Sequence, residues 1–171
     1  MNSVKVVSKI LYYIARVLSF FYFVCVALSL LALTTTWGLH IREGGKYFSV
    51  NYPFTNTHFL NGDYNIIYII FFFLLPISLY GLFFLLLGNV FKVFFQPRLF
   101  TSYGVQKLRL FYLANCIIPG LMVLVTSFFA EFESEAMVLV VLHFTLGVFA
   151  YFLAAIFKQG VKLQNEQDLY I

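Results

Sequence analysis

Long apolar runs separated by short polar segments set the pattern of this chain. The runs cover roughly 12–36, 66–90, 110–130 and 137–157. A hydrocarbon core about 30 Å thick needs about 20 apolar residues of helix at about 1.5 Å each, so every run is long enough to cross with some tilt. Residues 66–87, IIYIIFFFLLPISLYGLFFLLL, lack the polar stripe at helical spacing that a core helix in water would carry. The pattern therefore predicts an all-α integral membrane protein. Its architecture is a four-helix transmembrane bundle forming a single domain over 1–171, with an external loop at 37–65, a cytoplasmic segment at 91–109 and a cytoplasmic tail at 158–171. No repeat suggests an inverted-repeat transporter.

The polar segments predict less regular structure. LHIR and KYFSVNY flank Glu43, Gly44 and Gly45, a weak hairpin signal, whereas Asn51 to Asn65 reads as irregular loop. AEFESEA at 130–136 is short enough to make the third and fourth spans antiparallel neighbours. Between the second and third spans, Pro97 interrupts any continuous helix and Thr101 or Ser102 can cap the next. Val105, Leu108 and Phe111 then share one face, with Lys107 and Arg109 elsewhere. Two roles are open to those cations: an interfacial anchor with snorkelling side chains, or contact with a partner or lipid headgroup.

Charge fixes the expected orientation. Lys5, Lys9, Arg16, Lys92, Arg98, Lys107, Arg109, Lys158 and Lys162 lie at alternate ends of the runs, while the opposite ends hold Arg42 and Lys46 among Glu43, Asp63, Glu131, Glu133 and Glu135. Basic flanks stay on the cytoplasmic side, so both termini are expected there. The net charge of +4 then reflects topology and anionic lipid, because the basic residues form no compact patch for direct nucleic-acid binding. The first run is too long for a secretory signal core and no small-x-small site follows it, so it is expected to be an uncleaved anchor.

Composition agrees: 62% hydrophobic and 11% charged residues, against the roughly 25% charged of a soluble domain. Candidate chemistry is sparse. His143 lies inside the fourth run, and an intramembrane ionisable group is a functional candidate because leaving it unpaired in lipid is costly. Thr126, Ser127 or a backbone carbonyl can partner a neutral imidazole there. Asn115 and Ser78 read as interhelical hydrogen-bond glue, Gly81 with Gly88 and Ala150 with Ala154 as close-packing positions, and Pro76 and Pro119 as kinks. Cys25 and Cys116 each lie in a run without a CxxC pair, so neither a disulfide nor a metal site is expected. No phosphate-binding glycine loop, HExxH or paired carboxylates on a cytoplasmic face appear, and the cysteine pairs of tetraspan quinone-linked thiol oxidases are missing. The expectation is a protein that is not an enzyme and has no cofactor.

The carboxyl terminus, AAIFKQGVKLQNEQDLYI from Ala154 to Ile171, resembles the ending of the bacterial membrane family called domain of unknown function 2975. There a phenylalanine, a basic residue and a glycine precede Glu-x-Asp-Leu and a final apolar residue. LFTSYGVQKLR, Leu99 to Arg109, is similar to that family's aromatic, short turn and basic Leu-Arg helix start, and the spans and length also fit. Tyr170 stands where members commonly carry Thr. The resemblance implies a bacterial inner-membrane location, no established activity, and a cytoplasmic helix-turn-helix regulator as partner.

Physically, the tail suits docking. Lys158 and Lys162 lie one turn apart, Gly160 loosens or caps the helix, and Glu166 and Asp168 precede apolar Leu169 and Ile171. Two placements are open: a partner surface shared with Lys107 and Arg109, or Leu169 and Ile171 folded into the bundle mouth with Glu166 or Asp168 paired to Arg98, Lys107 or Arg109. The expected function is a multi-pass partner or regulator of a cytoplasmic protein. The alternative is a small transporter or channel subunit using His143, Asn115 and Ser78, and homo-oligomerisation stays open.

Overall fold

The computed structural model describes residues 2–52, 54–129 and 134–168. Its elements run α1 (Asn2–Thr35), β1 (Leu39–Arg42), β2 (Tyr47–Asn51), β3 (His58–Asp63), a π-helical segment (Tyr68–Leu74) continuing into α2 (Leu75–Phe94), α3 (Ser102–Thr126) and α4 (Ser134–Asp168). Four helical stretches, Ser3–Thr35, Tyr68–Phe94, Ser102–Thr126 and Glu135–Gln167, are long and apolar enough to cross a membrane. Within each, 17% of the residues of an 18-residue apolar window are buried inside the protein. The chain divides into two compact units: Met1–Val17 with Phe83–Ile171, and Leu18–Leu82.

In the first unit, Val90, Val93, Leu108, Phe111, Ala150, Ala154 and Phe157 form the core. Leu108 and Phe111 are buried and Val105 packs against them, so α3 presents the face expected from its spacing. Thr101 caps α3: its backbone is extended and its hydroxyl accepts from the Gly104 N–H at 3.1 Å. The helices approach closely at small residues. A Cβ on Gly147 of α4 would lie 2.5 Å from Cys116 Sγ and 3.2 Å from the Tyr112 carbonyl on α3, while Ala150 and Ala154 are buried beside it. Pro119 lies inside α3 without ending it.

Gly160 neither loosens nor caps α4, which continues as helix to Asp168. Its missing side chain admits the Phe100 ring instead, since a Cβ there would sit 2.4 Å from Phe100 Cδ1. Phe100 in turn packs edge-on against Phe157 at 5.3 Å. The expected 130–136 turn falls mostly outside the described residues, as do Leu169 and Ile171.

The second unit holds the fold's β-structure, an antiparallel sheet in the order β1-β2-β3. The β1–β2 hairpin forms where the sequence signals it, with positive φ at Gly44 (64°) and Gly45 (99°) in the turn. The Asn51–Asn65 stretch is not irregular throughout, because β3 pairs with β2 from Tyr47↔Asp63 to Asn51↔His58, across a register shift at Val50/Asn51. Its Asn-Gly-Asp sequence resembles a turn, but Gly62 is a strand residue. A Cβ there would lie 2.7 Å from the Tyr68 ring and 3.0 Å from that of Phe48. Phe48 and Val50 are buried on one face of β2 with Ala32, Ile69 and Phe73. The π-helical segment ends with Leu75 N–H bonding Ile70 C=O, one residue before Pro76, whose missing N–H the shifted ladder accommodates.

Candidate functional site

Within the apolar part of the first unit, a polar contact joins α3 and α4. Asn115 is 3% exposed and its Nδ2 donates to the Phe111 carbonyl at 2.8 Å. That leaves Oδ1 facing α4, where it accepts from His143 Nδ1 at 2.8 Å. Because the carboxamide oxygen can only accept, His143 carries its proton on Nδ1. The Phe83 ring of α2 stands edge-to-face with the imidazole at 5.1 Å. The hydroxyls of Thr126 and Ser127 donate to carbonyls of their own helix, Met122 and Leu124 among them. Ser78 belongs to the second unit and donates to the Leu74 carbonyl one turn back, so its bond is intrahelical. Of the intramembrane candidates, the structure joins Asn115 and His143.

A second polar cluster, on the sheet, was not legible in the sequence. Alternation along β1 and β2 puts His40, Arg42, Ser49 and Asn51 on one face, opposite Phe48 and Val50. The register shift then brings His58 of β3 beside Asn51. Arg42 Nη2 donates to His58 Nε2, His58 Nδ1 donates to Asn51 Oδ1 at 2.6 Å, and Asn51 Nδ2 donates to His40 Nε2 at 2.9 Å. Arginine can only donate, so the donor directions are fixed along the chain and both imidazoles are neutral in it. Desolvation holds the His58 pKa below its ordinary value, and the Arg42 guanidinium beside it, with the His40 ring that would repel a second positive charge, pushes it the same way. The rings of His40 and His58 stand 6.0 Å apart. Period-two alternation could have suggested the shared face, but the shift that aligns His58 has no sequence signature.

The remaining candidates lie at the basic end of the first unit. Lys107 sits over the Tyr103 ring at 5.1 Å, and Arg109, two residues on in α3, is exposed. In α4 the helix beyond Phe157 carries exposed Lys158, Lys162, Leu163 and Glu166. Glu166 pairs with Lys162 at 3.8 Å, an exposed i,i+4 contact that contributes about 0.3–0.5 kcal/mol. It does not reach Arg98, Lys107 or Arg109 in an ion pair among the described residues. Asp168 is the last helical residue. Among the described residues no group of three or more His, Cys, Asp or Glu side chains could hold a metal ion, and both cysteines are free.

No known protein family, curated protein or solved structure matches this chain.

Proposed function

We infer that this chain is a multi-pass protein of a bacterial inner membrane, with both termini in the cytoplasm, that works without catalysis by binding or regulating a cytoplasmic protein. The observation that carries the reading is the continuation of α4. From Lys158 to Asp168 the helix extends about 16 Å past Phe157, the end of its apolar run, at about 1.5 Å per residue, and it presents Leu163 at 61% exposure among polar and charged neighbours. An exposed apolar side chain on a preformed polar helix suits recognition by a partner groove. The partner class, a small helix-turn-helix regulator, comes from the resemblance of the Ala154–Ile171 sequence to domain of unknown function 2975.

Photo-crosslinking from position 163 in intact membranes tests this. Capture of a small DNA-binding protein is expected, and a chain truncated after Gln159 but normally inserted should lose it. No tail-dependent partner would sink the reading. A small transporter or channel subunit is the second reading, favoured by the Asn115–His143 pair lying in apolar helix. It predicts that His143→Ala abolishes a solute flux in proteoliposomes while insertion is unchanged.

A further inference from the structure

Residues 17–35 of α1 carry no charge, and at about 1.5 Å per residue they extend about 28 Å, close to the thickness of a hydrocarbon core. Arg16 thus stands where hydrocarbon gives way to headgroups. Its guanidinium is fixed there: Nη2 donates to Asn89 Oδ1 on α2 at 2.8 Å, and Cζ lies 5.3 Å from the centroid of the Tyr12 ring. Tyr12 is itself held edge-on against Phe95 at 5.5 Å. Arg16 Nε is buried and has no hydrogen-bond partner among the described residues.

Asn89 and Tyr12 are neutral, so they orient the guanidinium without cancelling its charge. More positive charge lies close by. Lys92 is one turn beyond Asn89 on the same face of α2, and Lys9 is two turns before Arg16 on α1. Among the described residues of this unit, the acidic ones are Glu135, at the other end of α4, Glu166, paired with Lys162, and Asp168, the last residue of α4. A fixed guanidinium at a hydrocarbon boundary, with lysines on neighbouring turns and no ion-pair partner among the described residues, calls for an anion supplied by the membrane.

We propose that Arg16, Lys92 and Lys9 bind the phosphate of an anionic phospholipid headgroup, with Tyr12 and Asn89 holding Arg16 in place. A guanidinium presents paired N–H donors that match phosphate oxygens, and the lysines add point charges around it. The site does not depend on what the α4 extension binds.

The full-length chain, purified in non-ionic detergent, is titrated with phosphatidylglycerol, phosphatidylcholine or inorganic phosphate. Thermal unfolding and native mass spectrometry of retained lipid are the readouts. Phosphatidylglycerol should raise Tm and be retained preferentially over phosphatidylcholine, while inorganic phosphate should leave Tm unchanged. Arg16→Gln and Lys92→Gln should each weaken phosphatidylglycerol retention about fivefold, equivalent to about 1 kcal/mol per basic residue at an anionic surface. Lys46→Gln, in the other unit, should not. Lys92→Gln leaves the Arg16–Asn89 bond in place, so it reports on the site even if Arg16→Gln misfolds. Equal retention of both lipids, a shift reproduced by inorganic phosphate, or an unchanged lipid preference in Lys92→Gln would overturn the proposal.

Discussion

Asn115 divides its carboxamide between two helices, giving its N–H to the Phe111 carbonyl of α3 and its oxygen to His143 of α4. In an apolar surround such a bond is worth about 0.6–2 kcal/mol, because the alternative is a polar group facing hydrocarbon. Asn115→Ala and His143→Ala should each destabilise the chain by about that amount. The double variant should cost clearly less than their sum, as a double-mutant cycle of unfolding in micelles would measure. Strict additivity would mean that the two side chains do not act together. The partner of His143 was not legible because 28 residues separate the pair, and only the relative rotation of two helices brings them together. On the sheet, His58 titrates below its ordinary value, so the unfolded chain takes up the proton first as pH falls. Stability of the sheet is therefore full above about pH 6.5, the ordinary histidine value. It falls as pH drops through the lowered pKa of the folded state. Protection of the amides across residues 39–63, corrected for the intrinsic pH dependence of exchange, should fall between neutral and mildly acidic pH, and Asn51→Ala should flatten that dependence. A pH-independent protection profile in the parent chain would contradict the neutral relay.

Two glycines show why some elements could be read from the sequence and others could not. Gly44 and Gly45 sit in a turn that needs positive φ, a local demand visible in sequence, and the hairpin forms around them. Gly160 answers a tertiary demand, the approach of the Phe100 ring, and sequence alone reads it as a break in α4. Alanine there would gain about 1 kcal/mol of helix propensity. Against this, three atoms of the Phe100 ring lie 2.4–2.7 Å from the new Cβ, and Phe157 limits the ring's escape. Overpacking of this kind costs about 1–3 kcal/mol, so Gly160→Ala should lower Tm despite the better helix former. A raised Tm would show that Phe100 moves aside freely. Likewise β3 was hidden because Asn-Gly-Asp has the composition of a turn. Its Gly62 is instead required by the rings of Tyr68 and Phe48.

At the level of the whole molecule, the apolar runs were legible because membrane crossing is a demand on length and polarity, and both can be counted along a chain. The helices nevertheless extend past those runs, α1 back to Asn2 and α4 on to Asp168, because a basic flank can continue a helix through headgroups as readily as end it. The account requires that Gln164, on the α4 extension, and Thr57, beside the sheet, lie on opposite sides of the membrane. Single cysteines at these two positions, in a chain with Cys25 and Cys116 replaced by alanine, can be labelled with a membrane-impermeant thiol reagent in intact cells and in inverted vesicles. Labelling of position 57 in cells and of position 164 in inverted vesicles is the predicted result; labelling of both positions from the same side would contradict it.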